Sequence, residues 1–136
     1  LLERWTHPYA TGNDFRPTGI FTTDDGIYVT DYINSVLYLF GHNGKIDESW
    51  GMGDGTMVGE FTYPSDVAVD AFGNVFVADT FNNRIQVLSD DNWAELDGGF
   101  AEGPMDRPFG IATDTSGNVF VADTFNNRVL KYVYTP

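Results

Sequence analysis

The feature that most constrains this chain is a stretch of twelve residues that occurs twice without a single change. The sequence GNVFVADTFNNR occupies residues 73–84 and again residues 117–128, a step of 44 residues. The flanking residues repeat as well, so that residues 63–89 and 107–133 align over their whole length. A repeat of this period indicates a structural unit that is stacked several times, rather than one active site present in two copies.

A third and more divergent copy lies upstream, at residues 16–40. A proline marks the same register in all three copies, at Pro17, Pro64 and Pro108, with steps of 47 and 44 residues. The first copy differs from the others in having Val36 where they have an arginine. Three repeat units therefore cover nearly the whole chain of 136 residues.

Each copy consists of short apolar runs separated by turn residues, which is the pattern of an all-β protein. The runs predict three strands per copy, a, b and c, and the Gly-Asn and Asn-Asn pairs between them are typical of tight turns. A weaker fourth strand, d, follows in the segments KIDESWG and WAELDGG. In one strand b, Val75 and Val77 point to one face. Phe76 and Ala78 point to the other, so we expect a sheet that is covered on both sides.

Four short strands in every period of roughly 45 residues, each sheet covered by its neighbours, indicate the blade of a β-propeller. The motifs P-x-x-[VI]-A-x-D, G-N-x-[FVY]-V-A-D-T and N-N-R-[IV] resemble the NHL repeat, closely at residues 63–89 and 107–133 and more loosely at 16–40. The resemblance implies an all-β fold of blades with four antiparallel strands, three NHL-type blades forming a single unit over residues 1–136. Propellers of this family usually have six blades, so the chain resembles half of a ring.

The two ends of the chain carry strands that the repeat leaves incomplete. The N-terminal segment resembles strand d, since Trp5 lies 45 residues before Trp50, and the chain ends in a strand c. The order d-abc, repeated three times, leaves the last sheet without an outer strand and the first outer strand without a sheet. We therefore predict that two copies pair head to tail. The residues expected at these edges are Leu2, Glu3, Arg4, Trp5, Val129, Leu130, Lys131, Tyr132 and Val133.

Head-to-tail pairing has two outcomes, because the rotation between copies either closes or does not. A closed dimer would complete a six-bladed ring, and an interface that fails to close would give an open helical filament. The alternative to both is that the chain is one half of a longer propeller. We expect the chain's main partner to be a second copy of itself.

An aspartate recurs at the end of strand b in every copy. An aspartate before a tight turn can accept backbone N–H bonds from that turn, and an arginine across the turn can pair with it. We therefore expect structural roles for Asp79 with Arg84 and for Asp123 with Arg128. The alternative is a ring of carboxylates, Asp31, Asp79 and Asp123, that binds Ca²⁺, although their spacing is not that of an EF-hand loop. We expect no cofactor.

The tip of each b–c turn carries a large apolar residue, namely Ile33, Phe81 and Phe125. These side chains either pack between adjacent blades or form an exposed apolar ring on one face of the propeller. Exposed aromatic side chains at loop tips would make a recognition surface. The linkers from strand d to strand a are expected on the same face, which is our candidate for binding a protein or a glycan.

Catalysis has little support in the sequence. The two histidines, His7 and His42, do not lie at equivalent repeat positions and have no metal-ligand spacing. The chain also has no G-x-S-x-G elbow, phosphate-binding loop or dinucleotide fingerprint. Some six-bladed relatives are metal-dependent lyases or hydrolases that use several histidines and carboxylates, so a fragment of such an enzyme is the alternative. We expect a non-catalytic structural scaffold and no catalytic residues.

The charge of the chain limits its partners. Seven Lys and Arg residues against 20 Asp and Glu residues give a formal net charge of −13. This charge disfavours nucleic acid and anionic membrane surfaces, and the basic face that RNA-binding NHL domains use is missing. No apolar run approaches the roughly 18 residues of a membrane-spanning helix. Without cysteine the chain has no disulfide or thiolate site. We expect an extracellular or cell-surface location.

Overall fold

Three antiparallel sheets follow one another along the chain. The structure is a computed structural model that describes residues 2–6, 14–51, 53–96 and 103–135. The order of strands within each sheet follows the order of the chain, so that each sheet is built from successive hairpins. This is the topology predicted for propeller blades.

The sheets are named blade one, blade two and blade three. Blade one contains β1 Pro17–Thr22, β2 Ile27–Asp31, β3 Val36–Phe40 and β4 Ile46–Trp50. Blade two contains β5 Asp66–Val69, β6 Val75–Asp79, β7 Arg84–Ser89 and β8 Asn92–Glu95. Blade three contains β9 Pro108–Thr113, β10 Asn118–Asp123 and β11 Arg128–Val133. Short 3₁₀ turns, Thr80–Asn82 and Thr124–Asn126, connect strands b and c in blades two and three.

The turn residues account for the hairpins. Asn83 and Asn127 adopt left-handed backbone conformations, with φ of 55° and 53°, at the end of the b–c turns. Asp90 and Asp91 have φ of 47° and 62° and form the two-residue loop between β7 and β8. Two successive left-handed residues are the conformation of a type I′ hairpin turn, which asparagine and aspartate tolerate well.

Blade two is covered on both faces, as its sequence predicts. Val75 and Val77 are buried in a cluster that includes Leu37 of blade one. Phe76 and Ala78 are buried in a second cluster that includes Val119 and Val121 of blade three. Between the three sheets the core therefore forms two layers, one between blades one and two and one between blades two and three. Blade two contributes side chains to both layers.

Strands a lie side by side, β1 next to β5 and β5 next to β9. Hydroxyl groups fix this arrangement across the blades: Ser65 Oγ donates to the Phe109 carbonyl at 2.8 Å, and Thr113 Oγ1 donates to the Val69 carbonyl at 2.7 Å. Thr80 Oγ1 also donates to the carbonyl of Pro108 at 2.8 Å. The blades are thus stacked around their inner strands, as in a propeller.

The ends of the chain show where the repeat is incomplete. Blade three has no fourth strand among the described residues, so β11 forms its outer edge. Residues 2–6, which the repeat places in a strand d, form no strand in the single chain. The reason is topological, because blade one already has β4 as its outer strand and β11 lies at the other end of the stack. Among the described residues, no helix is long and apolar enough to cross a membrane.

Candidate functional site

The aspartate at the end of β6 is the centre of a buried hydrogen-bond network. Asp79 has no exposed surface, and its Oδ1 accepts the backbone N–H of Thr62 at 2.8 Å. Its Oδ2 accepts Arg84 Nε at 2.7 Å and Gln86 Nε2 at 3.0 Å. Asn82 Nδ2 donates to both oxygens, at 3.2 and 3.0 Å. The charge of this carboxylate is therefore paired, and its acceptor sites are filled by the protein.

Blade three repeats the network around Asp123. The backbone N–H of Asp106 donates to its Oδ1 at 2.8 Å, and Arg128 Nε donates to its Oδ2 at 2.6 Å. Burial alone would raise the pKa of Asp123, but the hydrogen bonds from Asn126, Asp106 and Arg128 outweigh burial and hold the pKa below its ordinary value. The predicted pairs, Asp79 with Arg84 and Asp123 with Arg128, are thus in contact in the structure.

One detail of that prediction needs correction. We expected these aspartates to accept N–H groups of the tight turn itself, and this holds for Asp31, whose Oδ1 accepts the N–H of Asn34 at 3.3 Å. In blades two and three the N–H donors belong instead to Thr62 and Asp106, in the linker that enters the same blade. Within the 3₁₀ turns, the N–H groups of Asn83 and Asn127 bond to the carbonyls of Thr80 and Thr124.

The arginines also bind the linkers that precede their blades. Arg84 Nη2 donates to the carbonyls of Met57 and Glu60, at 2.8 and 3.1 Å. Arg128 Nη2 donates to the carbonyl of Gly103 at 2.9 Å. Each guanidinium therefore joins a b–c turn to a d–a linker, and the two kinds of loop lie on one face, as predicted. We call this surface the turn–linker face.

The aspartates considered for Ca²⁺ are held by protein donors. Asp31 accepts Asn34 Nδ2 at 2.7 Å and the N–H of Arg16 at 3.2 Å, in addition to the bonds of the turn. No group of three or more His, Asp or Glu side chains that could hold a metal ion occurs among the described residues. His7 lies outside the described residues, and His42 Nε2 is 3.2 Å from the carbonyl oxygen of Asp24 on the surface.

The three turn tips are half-exposed, and the two phenylalanines are also packed on aromatic neighbours. Ile33, Phe81 and Phe125 are 44%, 44% and 49% exposed. The ring of Phe81 lies edge-on to Tyr63 at 5.1 Å and to Tyr32 of blade one at 6.3 Å, between ring centroids. Phe81 therefore packs against a neighbouring blade and is exposed on this face at the same time.

Two residues of this face were not expected from the sequence. Tyr63 and Arg107 precede the marker prolines and have φ of 50° and 46°, a conformation that costs free energy for a residue with a side chain. Arg107 lies over the ring of Phe125, with its guanidinium carbon 3.7 Å from the centroid. Tyr63 holds the equivalent position in blade two, where its ring lies edge-on to the ring of Phe81. The register before proline does not reveal them, since Arg16 stands in the same place before Pro17 and has no positive φ.

The outer face of blade three is bare where the same face of blade two is buried. Phe120, Ala122, Val129 and Lys131 form this surface, which we call the tail face. The repeat places them at the positions of four fully or almost fully buried residues of blade two, Phe76, Ala78, Ile85 and Val87. Val129 is 73% exposed, whereas Ile85 is 0% exposed. Sequence reasoning predicted the edge of β11 and did not foresee the sheet face.

The opposite end of the stack presents a matching face. Ile27, Val29, Val36, Tyr38 and Phe40 of blade one form a buried cluster, which we call the head face. The N-terminal part of the chain covers it, with Trp5 stacked on Phe40 at 6.1 Å and Phe15 edge-on to Tyr38 at 6.1 Å between ring centroids. Among the described residues, the head face has no neighbouring blade, and Trp5, Phe15 and Ile46 pack against it.

The fold defines the class of the protein as a repeat-built β-propeller, in which sheets stack around their inner strands. The sequence profile of the NHL repeat matches residues 61–88, which span most of blade two. Residues 61–88 therefore carry an NHL repeat, and the resemblance stated from the motifs is confirmed for this blade.

Three known proteins show how far this likeness extends. Over 34 residues the chain is 59% identical to the B-box type zinc finger protein ncl-1 of Caenorhabditis elegans, a match that spans 25% of this chain and 4% of that protein. A structural genomics protein of unknown function from Bacteroides thetaiotaomicron VPI-5482 superimposes with a TM-score of 0.69 at 21% identity, over 81% of this chain and 32% of that chain. Virginiamycin B lyase from Staphylococcus aureus superimposes with a TM-score of 0.62 at 17% identity, over 93% of this chain and 44% of that chain.

These comparisons establish the fold. The chain spans less than half the length of each of the three proteins. Because both structural matches fall below 25% identity, they place the chain among β-propellers and say nothing of its chemistry.

Proposed function

We propose that this chain is a non-catalytic scaffold of NHL-type propeller blades that self-associates head to tail and presents its turn–linker face to a partner. The observation that carries the proposal is the bare tail face of blade three. Within the chain, a tail-type face is always covered by the head-type face of the next blade. Self-association supplies blade three with such a neighbour.

The identity of the neighbour follows from the repeat. The face of blade three that meets blade two contains Val119 and Val121, and these side chains cover Phe76 and Ala78. The head face of blade one has Ile27 and Val29 at the equivalent positions. A second copy therefore carries the kind of surface that the tail face is shaped to receive.

The apolar side chains of the tail face give this association a driving force. Val129 is 73% exposed, and complete burial of an exposed side chain of this class contributes about 1.5–3 kcal/mol. A bare apolar sheet face with an open edge strand is also the kind of surface that proteins normally cover. Both properties meet on blade three, where β11 is the edge strand and Val129 lies on the tail face.

The turn–linker face is the surface we propose for a protein or glycan ligand. Phe81 and Phe125 are half-exposed there, and Arg84 and Arg128 fix the loops that surround them. Rigid aromatic side chains on fixed loops lose little conformational freedom on binding, which suits them to recognition. The scaffold is proposed to be non-catalytic because the conspicuous carboxylates, Asp79 and Asp123, are engaged by the protein itself.

The mass of the chain in solution tests self-association, and a charged residue on the tail face shows whether this face is responsible. We expect the wild-type chain to have at least twice its monomer mass of 15.1 kDa by light scattering at micromolar concentration. Val129→Lys should shift it toward the monomer, because a lysine would have to be buried against an apolar head face.

Val58→Lys is the matched control. Val58 is also exposed, at 53%, but lies in a linker away from the tail face, so this variant should associate as the wild type does. A wild-type chain that stays monomeric would exclude self-association. Equal effects of the two lysines would exclude the tail face as the interface.

A further inference from the structure

We infer that the N-terminal segment, residues 2–6, exchanges between two positions, a cover on the head face of its own blade one and an outer strand on β11 of a second copy. The inference rests on the proposed self-association and adds a mechanism to it. In the single chain the segment occupies the place of a missing blade. In the assembly it would complete blade three of the neighbouring copy.

Among the described residues, Trp5 makes the aromatic contact that places the segment on blade one. The indole of Trp5 stacks on Phe40 and lies so close to Gly44 that a Cβ there would be 2.7 Å from the ring. Leu2, in contrast, is 99% exposed, and the segment forms no strand. A short segment that pairs with no strand can leave without unfolding a sheet.

Docking of a tail face would compete with this cover. Phe40 belongs to the head face, and its repeat equivalent in blade three, Tyr132, packs against the core between blades two and three. A blade that arrives on the head face therefore needs the surface on which Trp5 lies. The copy that docks there brings its own β11, an edge strand that the displaced segment can reach within the same interface.

The repeat fixes the register of the new strand pair. In blade one, β4 pairs with β3 so that Trp50 lies opposite Leu37 and Glu48 lies opposite Leu39. Trp5 precedes Trp50 by one period of 45 residues. Because β3 begins at Val36 and β11 begins at Arg128, the equivalents of Leu37 and Leu39 in β11 are Val129 and Lys131. The pairs expected between copies are Trp5 with Val129, Arg4 with Leu130 and Glu3 with Lys131.

This register brings two opposite charges together in a chain that is otherwise strongly acidic. Glu3 would lie directly opposite Lys131, one of only seven basic residues. Opposite charges across neighbouring strands stabilise the pair, and like charges destabilise it. Lys131 takes the position of Val87, which is buried in blade two, so the charge at this tail-face position has no counterpart in blade two. An acidic strand beside Lys131 explains the charge.

A disulfide experiment tests the register, and the chain suits it because it has no cysteine. Glu3→Cys chains are mixed with Lys131→Cys chains and oxidised, and the fraction of linked pairs is measured on a non-reducing gel. The control replaces Glu3→Cys by Glu48→Cys, the repeat equivalent of Glu3, which is already paired within blade one. We expect linkage of Glu3→Cys with Lys131→Cys at least tenfold above the control.

Charge reversal gives a second, independent measurement on intact assemblies. Lys131→Glu should weaken association about fivefold by light scattering, and the double variant Glu3→Lys with Lys131→Glu should restore it. Association of the wild type without linkage above the control, or without rescue, would overturn the exchange and leave the proposed self-association intact. A wild-type chain that is monomeric would overturn both.

Discussion

At the scale of single residues, an aspartate and an arginine pair beside the b–c turn of blades two and three, whereas blade one has Val36 in place of the arginine. The aspartates and arginines repeat with the strands, and this regularity predicted their pairing from the sequence. The linkers differ in length and composition, so no pattern could show that Thr62 and Asp106 supply the N–H donors. Their place follows only from the path of the folded chain.

The buried ion pair of blade two predicts a large loss of stability when it is broken. In Arg84→Met, Asp79 would keep its bonds from Asn82 and Gln86 but lose its counter-ion while having no exposed surface. We expect a loss of about 3 kcal/mol in the free energy of unfolding, measured by urea denaturation. Arg128→Met is the control with a smaller expected loss, because the Arg128 side chain is more exposed, 15% against 9%.

A loss below about 1 kcal/mol for Arg84→Met would contradict this account, since it is the size expected for a pair on the surface. An equal loss in both variants would show that the exposure of the guanidinium does not change the contribution of the pair, since Asp79 and Asp123 are both fully buried.

At the scale of elements, the sequence predicted the strands well because they are short apolar runs and their turns are chemically distinct. The runs VLYLF, RIQVLS and RVLKYV predicted the third strand of each copy, and these strands span Val36–Phe40, Arg84–Ser89 and Arg128–Val133. The N-terminal segment is different, because its composition matches strand d but its partner strand is not within reach. Pattern alone shows what a segment can form, and topology decides whether it forms within one chain.

The inner strands offer a test of how tightly the blades are stacked. A Cβ at Gly19 of β1 would lie 2.4 Å from the Cα of Asp66 in the neighbouring strand, whereas the nearest atom to a Cβ at Gly110 of β9 would be Ala122 Cβ at 3.5 Å. Gly19→Ala should therefore push blade one from blade two and cost about 1–3 kcal/mol of unfolding free energy. The contact at Gly110 is an ordinary van der Waals distance.

Gly110→Ala is consequently the matched control, at the equivalent position of another blade. It should be neutral or slightly stabilising, by up to about 1 kcal/mol, since alanine restricts the unfolded chain. Thermal or urea unfolding of the two variants side by side gives the comparison. Tolerance of alanine at both positions would mean that β1 and β5 are less closely packed than the structure shows.

At the scale of the whole molecule, the described blades stack in a row, with the N-terminal segment on the head face of blade one and an exposed tail face on blade three. A net charge of −13 on each chain of 136 residues opposes the approach of two copies. The surfaces proposed to meet are mostly apolar, and the single proposed ion pair, Glu3 with Lys131, is small beside this repulsion. The balance between long-range repulsion and short-range apolar contact therefore determines when the assembly forms.

This balance predicts that salt promotes association. Raising the ionic strength from 0.01 M to 0.15 M shortens the Debye length from about 30 Å to about 8 Å, which screens repulsion between chains but leaves apolar contact unaffected. We expect the weight-average mass measured by sedimentation to rise with salt and, for a closed ring, to stop rising at twice 15.1 kDa. A filament would instead keep growing with protein concentration, because its ends stay free. The mass of Val129→Lys should rise neither with salt nor with protein concentration. Dissociation of the wild type by salt would mean that charge pairs, not the tail face, hold the copies together.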